Sequence, residues 1–213
     1  MALTSPKERL CGAMRPCSLF VMCHKNERKR KMEKKGKKKL FLDFDGTLAE
    51  FKNVGPDEYS RKGYSLTLQP HKNVVNAART LYESGEFELY LLSAVLPYKH
   101  CSEDKNAWLD HYLPELKKEN RIYSAYGCNK YEAIKNLGLT VEAGDIFLDD
   151  YTVNLKQMDE DTNEVLTSVK LLNGINDTNK SWKGARISIY SDSESLSKQI
   201  RAISLVAQID AVA

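Results

Sequence analysis

An α/β fold with a central, mostly parallel sheet flanked by helices is predicted by two features of the chain. Short apolar runs alternate with segments of helical periodicity, and two of those runs end abruptly in acidic pairs. Leu40-Phe41-Leu42 ends in Asp43-Phe44-Asp45-Gly46-Thr47, and Ile146-Phe147-Leu148 ends in Asp149-Asp150. Such runs read as strands buried on both faces, and in an open α/β sheet the carboxyl ends of the strands border the ligand crevice. Carboxylates brought there are costly to desolvate, and a hard divalent cation, Mg²⁺ above all, offsets that cost. Gly46, without a Cβ, lets the chain turn sharply and bring backbone amides close to an anion.

The remaining elements follow in order. After Leu48 and Phe51 the stretch from Lys52 to Tyr64, containing Gly55-Pro56-Asp57, is polar and turn-rich and reads as a loop or small flap. Pro70 suits a first helical position, and Val74, Val75, Ala78, Leu81 and Tyr82 recur at helical spacing up to Ser84-Gly85. Phe87 to Leu92 is the next strand, ending in Ser93-Ala94; a hydroxyl there either starts a loop or bonds a phosphate oxygen. A helix is predicted from about Glu103 to Tyr112, with Lys105 near its start and Pro114 beyond its end. Arg121 to Ser124 is a short strand, and Gly127 to Lys130 a turn into a helix that stops at Gly138. Lys130 is either a surface lysine or a partner for a dianion. Beyond Asp150 come a helix around Val153 to Met158, a strand Val169 to Leu172, a polar loop Asn173 to Gly184, a strand Ile187 to Tyr190 and a closing helix from Ser193.

The 213 residues, 42 % hydrophobic, suit one globular domain with an appendage. The apolar piece Leu19 to Cys23 is too short for a membrane span, and a basic run follows it where a cleavage site would stand, so a cytoplasmic protein without a membrane partner is expected. Five unevenly spread cysteines predict reduced thiols, and Cys11, Cys17, Cys23 and His24 lack the spacing of a metal site. The net charge of +3 hides an asymmetry: residues 1–39 hold 13 Lys and Arg against 3 Glu, a net +10, which leaves 19 basic against 26 acidic side chains, a net −7, in residues 40–213. A basic, disordered extension over 1–39 and a folded domain over 40–213 are therefore expected. An acidic body is not a nucleic-acid surface, so nucleic acid would be reached only through the basic arm. Met32 offers a second plausible start.

Taken in order, the Asp-x-Asp-Gly-Thr strand end, the hydroxyl at the next strand end, the lysine and the acidic pair resemble the four signature motifs of the haloacid dehalogenase (HAD) phosphatases. The likeness spans about Leu40 to Leu155 and implies a Rossmann-like sheet. It further implies that Asp43 is the nucleophile and Asp45 the acid and base, that Ser93, Ala94 and Lys130 hold phosphate, and that Asp43, the backbone carbonyl of Asp45, and Asp149 or Asp150 hold Mg²⁺. Asp43 to Phe51 (DFDGTLAEF) and Tyr98 to Trp108 (YKHCSEDKNAW) are similar to stretches of the 5′(3′)-deoxyribonucleotidases, with matches at Cys101, Lys105 and Trp108, and Ser188 to Asp192 is similar to that family's closing strand. That resemblance adds Lys105 and Phe51 to the substrate-binding set, Phe51 matching an aromatic that faces the base.

Two departures matter. Only 17 residues, Lys52 to Leu68, stand where those nucleotidases have a helical cap, so the cap is expected to be reduced to a short loop with Tyr59 and Tyr64 as its only aromatic wall. Their second motif has Thr-Ser where this chain has Ser93-Ala94. The resemblance implies a phosphomonoesterase working through a phospho-aspartate on a small phosphate ester, a nucleoside monophosphate first. The alternatives are another small phosphate ester, a nucleic-acid phosphate end, or a HAD-fold binding protein without turnover.

Overall fold

The structure, a computed structural model, describes residues 36–176 and 181–211. The basic extension, the second start at Met32 and the amino-terminal cysteines fall on residues 1–35 and lie outside the described residues, except that Lys38 and Lys39 belong to the first strand.

Among the described residues six strands form one sheet: β1 (Lys38–Leu42), β2 (Phe87–Val95), β3 (Arg121–Ala125), β4 (Ile146–Asp149), β5 (Thr167–Leu172) and β6 (Ala185–Ser188). Their order is β3-β2-β1-β4-β5-β6, and every pairing is parallel, where a mostly parallel sheet was expected. The order reverses between β1 and β4, so a crevice opens beyond the carboxyl ends of the two strands that carry the acidic pairs. The helices are α1 (Pro56–Tyr59), α2 (Lys72–Glu83), α3 (Lys99–Tyr112), α4 (Lys130–Asn136), α5 (Thr152–Thr162) and α6 (Ser193–Asp210). No helix among the described residues is long and apolar enough to cross a membrane.

The strands read as unbroken apolar runs because both faces are covered. In β1, Leu40 and Leu42 join the core under α2, α3 and α6, while Phe41 between them joins the core under α4 and α5. On α2, Val74, Val75, Ala77, Ala78 and Leu81 are buried, which is the stripe that predicted it; His71 caps it, so Pro70 precedes the helix instead of starting it.

Some expected boundaries shift. Helix α3 begins at Lys99, four residues before Glu103, because its buried face carries Asp104 and Lys105 and so has no clean apolar period. Strand β6 runs Ala185–Ser188 instead of Ile187 to Tyr190, set by its register against Val169–Leu172. The segment from Lys52 to Leu68 holds α1 and a 3₁₀ turn, Ser65–Thr67. One face of α3 fastens this segment to the body. His100 Nε2 lies 2.8 Å from the carbonyl oxygen of Ser60, Asp104 Oδ2 accepts from the Gly63 amide at 2.5 Å, and Trp108 Nε1 donates to the carbonyl of Leu68 at 2.9 Å. Residues four apart lie above one another on a helix, which is why these three reach one strip of backbone. Trp108 is also a core anchor, buried and edge-on to Phe44 at 4.9 Å.

Candidate active site

Asp43 follows β1 directly, Asp149 ends β4 and Asp150 follows it, so the parallel sheet brings all three carboxylates to its carboxyl edge. One oxygen from each lies within 4.8 Å of the others. Lys130, the first residue of α4, bridges two of them, donating to Asp43 Oδ1 at 2.6 Å and to Asp149 Oδ2 at 2.7 Å. Its placement follows from the local sequence: the Asn129 side chain caps α4 by accepting from the amides of Tyr131 and Glu132, which fixes the helix start beside the crevice.

The electrostatics are those of anions crowded in a poorly solvated site. Burial raises the Asp43 carboxyl to about 7, with Lys130 pulling it down and Asp149 pushing it up. Burial likewise raises Asp150 to about 8, and the charges of Asp149 and Asp43 add to the effect. Burial works against the Lys130 ammonium, but Asp149 and Asp43 outweigh it and raise its pKa, so it stays charged.

The hydrogen bonds sort the carboxylates. Both oxygens of Asp149 are taken, Oδ1 by the Tyr151 amide at 2.7 Å and Oδ2 by Lys130 and by Asn154 Nδ2 at 2.9 Å. Asp150 Oδ2 accepts from Asn173 Nδ2 at 2.9 Å and Asn176 Nδ2 at 3.2 Å. Oδ2 of Asp43 and Oδ1 of Asp150 are left without a donor among the described residues. Gly46 closes the cradle: with φ +85°, a Cβ there would lie 2.5 Å from Asp150 Oδ2. Two carboxyls that each keep an oxygen without a donor among the described residues, in a cluster spanning 4.8 Å, fit a hard cation such as Mg²⁺.

A second group of residues gathers around Asp45. Lys105 Nζ donates to Asp45 Oδ2 at 2.5 Å, to Ser93 Oγ at 2.8 Å and to the carbonyl of Ala94 at 2.9 Å, and rests 4.8 Å from the centre of the Phe44 ring. Tyr59, from α1, donates its hydroxyl to the same Asp45 oxygen at 2.9 Å. Burial and then the Asp45 charge hold the Tyr59 phenol well above its ordinary range, so it remains a donor.

The structure thus brings Asp43, Lys130, Asp149 and Asp150 into one cluster and Asp45, Lys105, Ser93 and Ala94 into an adjoining one. The carboxylate of Asp45 lies in the second. The Ser93 hydroxyl is buried against Lys105. Phe51 is 40 % exposed, and a narrow cleft beside Asp45 is lined by Tyr59, Arg61, Tyr64, Ala94, Cys101 and Lys105 among others. Tyr64 borders that cleft but is only 3 % exposed and packs on Tyr59 at 5.2 Å, so most of its ring belongs to the core. Sequence reasoning missed Asn154, Asn173 and Asn176, and missed that Tyr59 bonds Asp45. The signal available for the asparagines was their position just beyond the acidic pair and just beyond a later parallel strand, where all strand ends share one edge.

Two solved structures resemble the chain. A HAD-superfamily hydrolase from Ehrlichia chaffeensis aligns with 11 % identity and a TM-score of 0.46, covering 81 % of this chain and 99 % of its own. A protein from Mesorhizobium loti, assigned as a HAD-like phosphatase, aligns with 15 % identity and a TM-score of 0.51, covering 84 % and 92 % respectively. The second likeness and the all-parallel six-stranded order define the architecture as a Rossmann-like α/β fold of the HAD type. No family model matches the chain, and no curated protein matches it.

Proposed function

We propose that the chain is a Mg²⁺-dependent phosphomonoesterase that forms a phospho-aspartate on Asp43. The carrying observation is the cluster in which Lys130 bridges Asp43 and Asp149 while an Asp150 oxygen lies within 4.8 Å of both carboxylates. Asp43 and Asp150, with the backbone carbonyl of Asp45, would hold the cation, and Asp149 holds Lys130. Mg²⁺ when bound neutralises charge on the carboxylates and on the phosphoryl oxygens.

The chemistry then belongs to the side chains. Asp43 attacks phosphorus in line, the ester P–O bond breaks, and the departing alkoxide takes a proton from Asp45. Water next attacks the phosphorus of the acyl phosphate and gives its proton to Asp45, which returns Asp43 as carboxylate and releases inorganic phosphate. Lys130 keeps Asp43 fixed and lowers the repulsion between its charge and the phosphate. Tyr59 and Lys105 hold Asp45.

For substrate, a nucleoside monophosphate is the favoured reading. The exposed aromatic side chains Tyr98, Tyr126, Tyr151 and Tyr190 stand within three residues of the carboxyl ends of β2, β3, β4 and β6, and Phe51 lies in the segment after β1, so the loops on the acidic cluster's side of the sheet offer exposed rings. A stacked base gains roughly 1–3 kcal/mol from such a surface. The motif likeness to the 5′(3′)-deoxyribonucleotidases at Asp43 to Phe51 and Tyr98 to Trp108 points the same way.

The test is phosphate release from an aryl phosphate, nucleoside monophosphates, sugar phosphates and end-phosphorylated oligonucleotides, with and without Mg²⁺. Release that needs Mg²⁺ and is lost in Asp43→Asn, with the melting temperature kept, is the expected result. Substantial turnover by Asp43→Asn would sink the covalent route, since Asn fills nearly the same volume without an anionic nucleophile.

A further inference from the structure

The loop that follows β5 carries two asparagines with no part in the proton and phosphoryl chemistry, yet their amides converge on one carboxylate. Asn173, 7 % exposed, donates from Nδ2 both to Asp150 Oδ2 at 2.9 Å and to the carbonyl of Gly46 at 3.0 Å. Asn176 donates from Nδ2 to Asp150 Oδ2 at 3.2 Å, to the Asp150 carbonyl at 2.8 Å and to the Leu171 carbonyl at 3.2 Å. The two also brace each other. Asn173 Oδ1 accepts from the amides of Ile175 and Asn176, and the Asn173 amide donates to Asn176 Oδ1. One short loop thereby ties together the ends of β1, β4 and β5, the first two of which supply the cluster's carboxylates.

We infer that Asn173 and Asn176 are positioning residues that hold Asp150 as a single-oxygen ligand and so make the site select Mg²⁺ over Ca²⁺. This rests on the cation site of the proposed function. With Oδ2 engaged by two amides and Gly46 packed against the carboxylate, Asp150 has one oxygen to offer. Mg²⁺ demands near-ideal octahedral geometry from single oxygens, whereas Ca²⁺ accepts more ligands and takes carboxylates with both oxygens. A carboxylate pinned in this way suits the smaller ion, and releasing Oδ2 lets it turn toward the larger one. Partners that orient a ligand commonly change metal affinity by about 10- to 100-fold.

The experiment is calorimetric titration of MgCl₂ and of CaCl₂ into the metal-stripped full chain, comparing wild type with Asn173→Ser and Asn176→Ala. Serine keeps a short acceptor for the turn at 173 but loses the amide donor; Asn176→Ala leaves the buried Asn173 in place and serves if the first variant does not fold. Circular dichroism of the metal-free proteins checks folding. The expected result is that Mg²⁺ affinity falls about tenfold while Ca²⁺ affinity holds or rises, so that the ratio of the two shifts at least about tenfold toward Ca²⁺. A ratio within about twofold of wild type overturns the inference, including the case in which both affinities fall together, as a merely structural role predicts. A wild type that takes up neither ion overturns the cation site itself and this inference with it, whereas a wild type that binds Mg²⁺ beside variants of unchanged ratio removes the inference alone.

Discussion

Tyr59 donates its hydroxyl to Oδ2 of Asp45 at 2.9 Å, so the segment standing where a cap would stand closes on the side chain proposed to move protons. The segment is no free flap, because His100, Asp104 and Trp108 of α3 hold its backbone at Ser60, Gly63 and Leu68. Replacing Tyr59 by Phe removes one bond to Asp45 and leaves the ring packing on Tyr64. A fall in kcat of about tenfold or more on an aryl phosphate, with KM and melting temperature nearly unchanged, is expected from the loss of a residue that orients a general acid and base. Steady-state kinetics check it; an unchanged kcat would make Tyr59 a packing residue.

Gly46→Ala should be severe. The position has φ +85°, and the added Cβ meets the Asp150 carboxylate at 2.5–2.9 Å. A side chain in the left-handed region costs about 1–2 kcal/mol by itself, and the clash displaces Asp150. We expect a lower melting temperature together with loss of most Mg²⁺ uptake by calorimetry. Normal uptake in this variant would mean that Asp150 is not held against the turn.

The raised carboxyls of Asp43 and Asp150 give stability a pH dependence of definite sign. Their folded pKa values, about 7 and about 8, stand above the unfolded carboxylate range. Such groups favour the folded state fully below the unfolded pKa, and that contribution is lost as pH rises through the folded values. Metal-free protein should therefore lose stability as pH rises through roughly 4 to 8, melting at a lower temperature near pH 8.5 than near pH 6. Mg²⁺ binds the ionised carboxylates, so its stabilising shift should grow over the same window. Thermal melts in EDTA and in Mg²⁺ at several pH values measure both. A Mg²⁺ shift that shrinks as pH rises would contradict the cation site.

The aromatic edge yields a substrate test. Phe51 is 40 % exposed and has no part in the proposed proton and phosphoryl chemistry, so Phe51→Ala should leave aryl phosphate turnover intact. If its ring stacks on a base, KM for nucleoside monophosphates should rise about fivefold or more, in line with a stacking contribution of roughly 1 kcal/mol or above. Equal loss on both substrates would identify Phe51 as a packing residue.

Much of this was legible in the sequence because the signals are local. The buried strands announce themselves as apolar runs, the α2 stripe as a helical period, and Asp43 and Asp149-Asp150 as acids where such runs stop. The sequence alone therefore determined the alternation of strands and helices and the candidate acidic residues. The tertiary structure decided which of those acids keeps a free oxygen among the described residues, since Asp149 is saturated by Tyr151, Asn154 and Lys130 while Asp150 is not. It also turned Lys105 and Ser93 toward Asp45, buried Tyr64, and drew Asn173 and Asn176 from a polar loop onto Asp150. None of these could be read from neighbouring residues: partners such as Asn173 and Gly46 are 127 positions apart and meet only because parallel strands deliver their carboxyl ends to one edge. Periodicity records which side chains are buried, whereas hydrogen-bond direction depends on groups the chain brings together only when it folds.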